Sequence, residues 1–191
     1  MDRNEELLIK RAQRGNLEAF EKLVHQYDAR IMKIAYDMLN HVEDARDVYQ
    51  DIFIKVYRAI GKFRFQSEFY TWLFRIAINT CINFRKKRKE SKNISLDQIK
   101  DHEGTYWEMN WNAKEIDPEK QVLNQELNEK INKGIGKLSN QQRAVFVLRH
   151  YHGYKLKQIA EIMECSEGTV KNYLFRATRK MQVVLAGYQQ I

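Results

Sequence analysis

Proline occurs once, at Pro118, and cysteine twice, at Cys81 and Cys165, in a chain of 191 residues. With a single proline and only eight glycines little interrupts helices, and Leu, Ile, Lys, Glu and Gln throughout favour helix nearly everywhere. Two cysteines so far apart exclude a disulfide framework and a CxxC metal or redox pair; both read as reduced, small core residues. Long apolar runs are also missing. No segment approaches the length of a membrane span, and the opening MDRNEELLIKRAQRGN is charged throughout and offers no signal core, so the expectation is a soluble cytoplasmic protein. Acid is short relative to base, 25 Asp plus Glu against 33 Lys plus Arg, which leaves a net charge of +8 and points to a polyanionic partner.

The charge is unevenly placed. Residues 1–89 hold 18 basic and 12 acidic side chains, 90–120 hold 4 and 8, and 121–191 hold 11 and 5. Two basic blocks thus flank an acidic connector. A hydrophobic content of 43% suffices for modest cores rather than one large one, so the chain reads as all-α, with two small helical domains, 1–89 and 118–191, joined by a linker over 90–117. The linker loses helical periodicity and gains Asn, Asp, Glu and Ser, although Trp107, Met109 and Trp111 are too apolar for a pure spacer.

In the first block a short helix is predicted over Asn4 to Arg14, ended by Gly15. A second follows from Leu17 to Met38 on a one-sided stripe that includes Phe20, Leu23, Tyr27, Ile31, Ile34 and Met38. The third, Val42 to Ile60, would bury Ala45, Val48, Tyr49, Ile52, Phe53, Val56 and Tyr57, and Gly61 stops it. On this helix Asp44, Asp47 and Asp51 recur at three and four residues, so their carboxylates line one face. A row of this kind is a solvated face, a docking surface for a basic partner, or part of a divalent-metal site in a nuclease; no HExxH, no Glu-x-x-His and no second carboxylate pair accompanies it.

From Gly61 to Lys89, GKFRFQSEFYTWLFRIAINTCINFRKKRK sets rings beside a terminal run of five bases. Aromatic faces can stack on unpaired bases at about 1–3 kcal/mol each while Lys and Arg neutralise phosphates. The competing reading is a helix core followed by a solvated helix end. Ser67 is the expected N-cap of a fourth helix, Glu68 to Arg88, whose core face would use Trp72, Ile76, Ala77, Thr80 and Phe84, leaving Tyr70, Arg75, Asn79, Asn83 and Lys86 able to meet a ligand. Phe63 and Phe65 fall in the preceding loop, outside any helical stripe.

The second block restarts at Asp117 and Pro118, an N-cap and first-turn proline. Ser139 and Gln142 form a capping box for a helix from Asn140 to Tyr151. An eight-residue helix, Leu156 to Met163, the turn Glu164–Ser166 and a longer helix capped by Ser166 have the spacing of a helix-turn-helix. Val170, Leu174, Ala177, Met181 and Val184 would face inward, and Lys171, Asn172, Phe175, Arg176 and Arg179 outward. Asn, Lys and Arg there can reach base edges and phosphates.

Taken together, DARDVYQDIFIKVYRAI at 44–60, FRFQSEFYTWLFRIAINT at 63–80 and RAVFVLRHYHGYKLKQIAEIMECSEGTVKNYLFRATRKM at 143–181 resemble the extracytoplasmic-function sigma factors, group 4 of the sigma-70 family, in their sigma-E-like form. The resemblance implies sigma region 2 in the first block and region 4 in the second. It implies that Asp44, Asp47, Gln50 and Asp51 meet the beta-prime clamp helices of core RNA polymerase, with the beta flap as a further contact, and that the metal reading lapses. Phe63, Arg64, Ser67, Phe69 and Asn79 would bind the displaced strand of the -10 element and hold a flipped base, with Arg85, Lys86 and Arg88 on nearby backbone. Lys171, Asn172, Phe175, Arg176 and Arg179 would read the -35 element in the major groove. The family further implies an anti-sigma factor that can hold the protein at the membrane, and no cofactor, metal, small-molecule substrate or covalent chemistry. Leu138-Ser139 replaces the family's frequent Leu-Pro, and Lys155 to Ala160 reads KLKQIA where many members read SxxEIA. Two rivals carry their own tests: a helix-turn-helix regulator that works without polymerase, and a metal-dependent nuclease built on Asp44, Asp47 and Asp51.

Overall fold

The computed structural model describes residues 2–94 and 118–186, with side chains over 2–90 and 127–186. The expectations for Trp107, Met109 and Trp111, and for Asp117 as an N-cap, lie outside the described residues. Eight α-helices and no strand occur among the described residues: α1 (Arg3–Gln13), α2 (Leu17–Leu39), α3 (Val42–Ala59), α4 (Phe69–Ile94), α5 (Pro118–Gly136), α6 (Asn140–Phe146), α7 (Leu156–Met163) and α8 (Glu167–Leu185).

Local chemistry sets most of the boundaries. The Asn16 side chain accepts the Ala19 N–H at 2.7 Å to open α2, and Asn40 closes that helix in the left-handed conformation that Asn tolerates better than most residues. The His41 Nδ1 accepts the Asp44 N–H at 3.2 Å and starts α3. Ser139 with Gln142 forms the expected capping box, and the Ser166 Oγ accepts the Thr169 N–H at 3.1 Å. Ser67, by contrast, is not the cap of α4. The Glu68 carbonyl accepts the Thr71 and Trp72 N–H groups, so the helix begins one residue later, and it continues past Arg88 to Ile94. The helix expected over Asn140 to Tyr151 also changes character, loosening into one π-type turn over Val147–Tyr151.

In the N-terminal unit α2 lies at the centre, packed on α1, α3 and α4, and α3 packs on α4. Ile9, Leu23, Ile31, Ile34, Met38, Val48, Ile52, Leu73, Phe74, Ala77 and Ile78 are sealed between them. The inward stripe of α4 therefore runs through Phe69, Leu73, Phe74, Ala77, Ile78 and Cys81, while Trp72, Ile76 and Phe84 only flank it half-buried. A helix that crosses two neighbours needs a stripe wider than the one counted from Trp72. Tyr57, expected inside, lies on the outer side of α3 and is 47% exposed.

In the C-terminal unit α8 packs on α5, α6 and α7. Gly134 permits the closest approach: a Cβ there would stand 2.8 Å from the Met181 Sδ and 3.3 Å from a Val184 methyl. The two units do not keep separate cores. α7 packs on α4, the Phe74 ring meets Tyr154 edge-on at 5.7 Å, and the buried side chains of α6, α7 and the first turn of α8 are continuous with the N-terminal core.

Replacing Gly134 by Val would overfill the α5–α8 contact. Thermal unfolding should show the C-terminal unit weakened by about 1–3 kcal/mol, whereas a variant as stable as the parent would mean that Met181 and Val184 yield without cost.

Candidate functional site

The segment between α3 and α4 is held from below. Ile60–Lys62 make one tight 3₁₀ turn, and the Gln13 Nε2 of α1 donates to the Ile60 carbonyl at 3.1 Å and to the Phe63 carbonyl at 2.8 Å. Phe63 and Phe69 are 5% and 1% exposed. Their rings form one cluster with Phe65 and Trp72, the centroids of Phe63 lying 4.9 Å from Phe65, 5.5 Å from Phe69 and 5.2 Å from Trp72. Phe65 sits in the left-handed region at φ 57°, and the Lys10 ammonium lies 5.7 Å from the centre of its ring.

Phe63, expected to stand outside any packed stripe, is thus a core residue. Burying its ring gains more than leaving it in water, and the loop is short enough to fold back over α1. Arg64, Gln66 and Asn79 remain exposed, and Ser67 half-exposed. Gln13, Lys10 and Gln66 were not singled out from the sequence, because a polar side chain on a surface helix or in a loop gives no periodic signal of what it grips.

The basic run is divided by its surroundings. Lys86 is exposed. Arg85 is half-buried, and burial disfavours its charged form. Arg88 pairs with Asp44 across the α3–α4 contact. Asp44 and Arg88, assigned to two different surfaces, therefore meet each other.

That pairing also splits the acidic row on α3. The Asp44 carboxylate is 17% exposed and is held by Arg88, whereas Asp47, Gln50 and Asp51 are exposed. Ile54 and Tyr57, 48% and 47% exposed, continue the same helical side. Carboxylates beside open apolar groups make an exposed face of mixed character. Ile54 and Tyr57 were missed because an apolar residue on a helix reads first as core. Among the described residues no three His, Cys, Asp or Glu side chains converge as metal ligands, and no helix is long and apolar enough to cross a membrane.

On α8 all five predicted contact residues, Lys171, Asn172, Phe175, Arg176 and Arg179, are exposed and share one side, while Val170, Ala177 and Met181 are buried on the other. Phe175 is 66% exposed. The Glu164 turn before the helix adopts the left-handed conformation at φ 52°, which aims α8 away from α7.

Known proteins share this architecture. Residues 23–91 match Sigma-70 region 2, and residues 128–181 match Sigma-70, region 4. The chain is 35% identical over 182 residues to the RNA polymerase sigma-H factor of Pseudomonas aeruginosa, covering 93% of this chain and 92% of that protein. It is 36% identical over 177 residues to the ECF RNA polymerase sigma-E factor of Escherichia coli K12, covering 91% and 90%. In backbone it is similar to CnrH in complex with the cytosolic domain of CnrY, with a TM-score of 0.64 at 22% identity over 96% of this chain and 98% of that one. It is likewise similar to the sigma factor RpoE in complex with the anti-sigma factor NepR from Bartonella quintana, with a TM-score of 0.62 at 22% identity over 87% and 96%.

Truncation separates scaffold from surface. Phe63→Ala should cost about 3–5 kcal/mol of stability and Asp44→Ala about 1 kcal/mol, while Asp47→Ala and Asp51→Ala should leave the melting temperature within a degree or two. Equal losses for all four in a thermal denaturation series would contradict the assigned burial.

Proposed function

Because the chain belongs to the extracytoplasmic-function sigma factors of the sigma-70 family, and is an RNA polymerase sigma factor, we propose a division of its surface among polymerase, the -35 duplex and the opened -10 strand. Residues 1–89 would carry region 2 and 118–191 region 4. The observation that carries this reading is the coexistence, in the family's order, of an exposed acidic and apolar face on α3 and an exposed basic face on α8. A regulator that bound DNA alone would need only the second.

Asp47, Gln50 and Asp51, extended by Ile54 and Tyr57, are the proposed contact for the clamp helices of the beta-prime subunit, with Asp44 holding the helix against α4. In region 4, Lys171, Asn172, Phe175, Arg176 and Arg179 meet the major groove. Phosphate contacts position the helix, and the amide, guanidinium and ring edges choose among bases. In region 2, Arg64, Ser67 and Asn79 engage the displaced strand, on a loop shaped by Phe63 and Phe69; Lys86 and its basic neighbours Arg85 and Arg88 add positive potential beside it. Flipping a base costs a few kcal/mol, and capture of the unpaired strand offsets that cost without covalent chemistry by the protein. We further propose that the protein works in the cytoplasm and is held inactive by an anti-sigma factor. The solved sigma factor RpoE, of like backbone and in complex with the anti-sigma factor NepR, supports this part.

The test is transcription with core polymerase on promoters of the protein's own genome. Promoter-specific transcripts are expected, and Asp47→Ala with Asp51→Ala should weaken assembly with core without loss of folding. Lys171→Ala and Arg176→Ala should each cost about 1–3 kcal/mol in duplex binding if they reach bases, and should lower the salt dependence by about one counterion each if they reach phosphates. DNA binding without co-purification of core would favour the polymerase-independent regulator. Magnesium-dependent cleavage lost in the Asp variants would favour the nuclease.

A further inference from the structure

Away from the α3 face, the α3–α4 loop and the outer side of α8, the end of α2, the last turns of α5 and the start of α6 line a cavity of about 180 Å³. Asn128, Ile131, Asn132 and Ile135 supply one wall at the spacing of a single helical face, and Asn40 and Arg143 contribute to the others. Polar amides, two isoleucines and a guanidinium thus border one small space.

The guanidinium is the member that the rest of the fold does not satisfy. Arg143 is 4% exposed, and its Nη2 donates to the Asp37 carbonyl at 3.3 Å. Its Nε is buried and has no hydrogen-bond partner among the described residues, and the same holds for Nη1 of Arg85 on α4. The two arginines lie close enough for their like charges to repel. Burial first, and the charge of Arg85 second, pull the Arg143 guanidinium down to about 9. A charge taken this far out of water is costly unless an opposite charge accepts its N–H groups.

Asp37 is the obvious candidate for that role, and its carboxylate, 1% exposed, also borders the cavity. It is already engaged, by Lys33 at 3.3 Å and by the His152 Nε2 at 3.0 Å. Its opposition to a second anion is correspondingly reduced. Arg143 and Arg85 are left without an ion-paired carboxylate among the described residues.

We propose that this cavity is a binding site for a small oxyanion, a phosphate or a short carboxylate, held by the Arg143 guanidinium and the side-chain amides of Asn40, Asn128 and Asn132. Size narrows the class. Pockets for drug-sized ligands and cofactors run to about 300–1,000 Å³, so a nucleotide is too large. At about 30 Å³ for each water-sized group, roughly six such groups fill the space. An oxyanion accepts several N–H bonds at once from a guanidinium, and bonds of this charged kind are about twice as strong as neutral ones. Amides add donors without adding charge, and Ile131 and Ile135 keep part of the wall dry, which strengthens the electrostatic attraction. The site does not depend on the proposed division of surfaces, since none of its residues belongs to them.

The full chain tests this in a zwitterionic buffer at constant ionic strength, with inorganic phosphate in one arm and acetate in the other. At a hundredfold excess over Kd the melting temperature should rise by about 5–10 °C, and titration calorimetry should show a saturable anion site. A response to phosphate alone identifies a tetrahedral ligand, and a response to acetate alone a planar one. Two variants are compared, with circular dichroism verifying their helix content. Arg143→Gln removes the charge, and Asn132→Asp sets a carboxylate into the wall while leaving the buried arginine in place. Anion affinity should fall at least tenfold in each. No response of the parent to either anion would overturn the site. So would a parent-like response in either folded variant, which would place the anions on exposed lysines and arginines instead.

Discussion

Burial of the Phe63 and Phe69 rings between α1, α2 and α4 is the constraint from which the arrangement of the N-terminal unit follows. Once those rings are inside, the chain between α3 and α4 cannot hang free. Gln13 grips two of its carbonyls, Phe65 takes a left-handed backbone to keep its ring on the cluster, and Arg64 and Gln66 are turned outward. A loop so held presents polar groups at fixed positions, which lowers the ordering cost that binding an unpaired strand would otherwise meet. In the proposed strand contact the aromatic residues would shape the loop rather than offer open faces.

The same economy governs α3 and α4. Val48, Ile52 and Val56 fix the inner side of α3, so the acids fall on its edge and outer side. Asp44, on the edge, is drawn into the helix contact by Arg88, while Asp47 and Asp51 stay in water with Ile54 and Tyr57 beside them. Position relative to the core, not residue type, separates a carboxylate that builds the fold from one that can meet a partner. Asp37 and Arg75 carry this distinction across the two units: the buried Asp37 carboxylate lies against His152, and the half-buried Arg75 pairs with Glu164.

Much of this was legible in the sequence. A single proline, the caps at Ser139 and Ser166 and the stripe from Leu23 to Met38 foretell eight helices and a helix-turn-helix, because capping and periodicity are local properties of the chain. The outward set from Lys171 to Arg179 follows from α8 having one neighbourly side. Phe63 and Tyr57 were misplaced for a common reason: each depends on which distant element lies opposite. Gln13 reaching Phe63 spans 50 positions, and Arg143 reaching Asp37 spans 106. No window of sequence records such pairings.

Either the rings act as scaffold and the outward polar groups as the strand contact, or the rings themselves meet the strand. Permanganate footprinting of the -10 region in complexes with core polymerase measures this directly, comparing Asn79→Ala and Arg64→Ala with Phe63→Leu, which keeps a buried apolar side chain. With the rings as scaffold, thymine reactivity collapses in the first two while protection of the -35 region persists, and Phe63→Leu stays near the parent at a temperature where it is folded. Loss of opening in Phe63→Leu with Asn79→Ala and Arg64→Ala unaffected would contradict it, and would place the ring itself against the DNA.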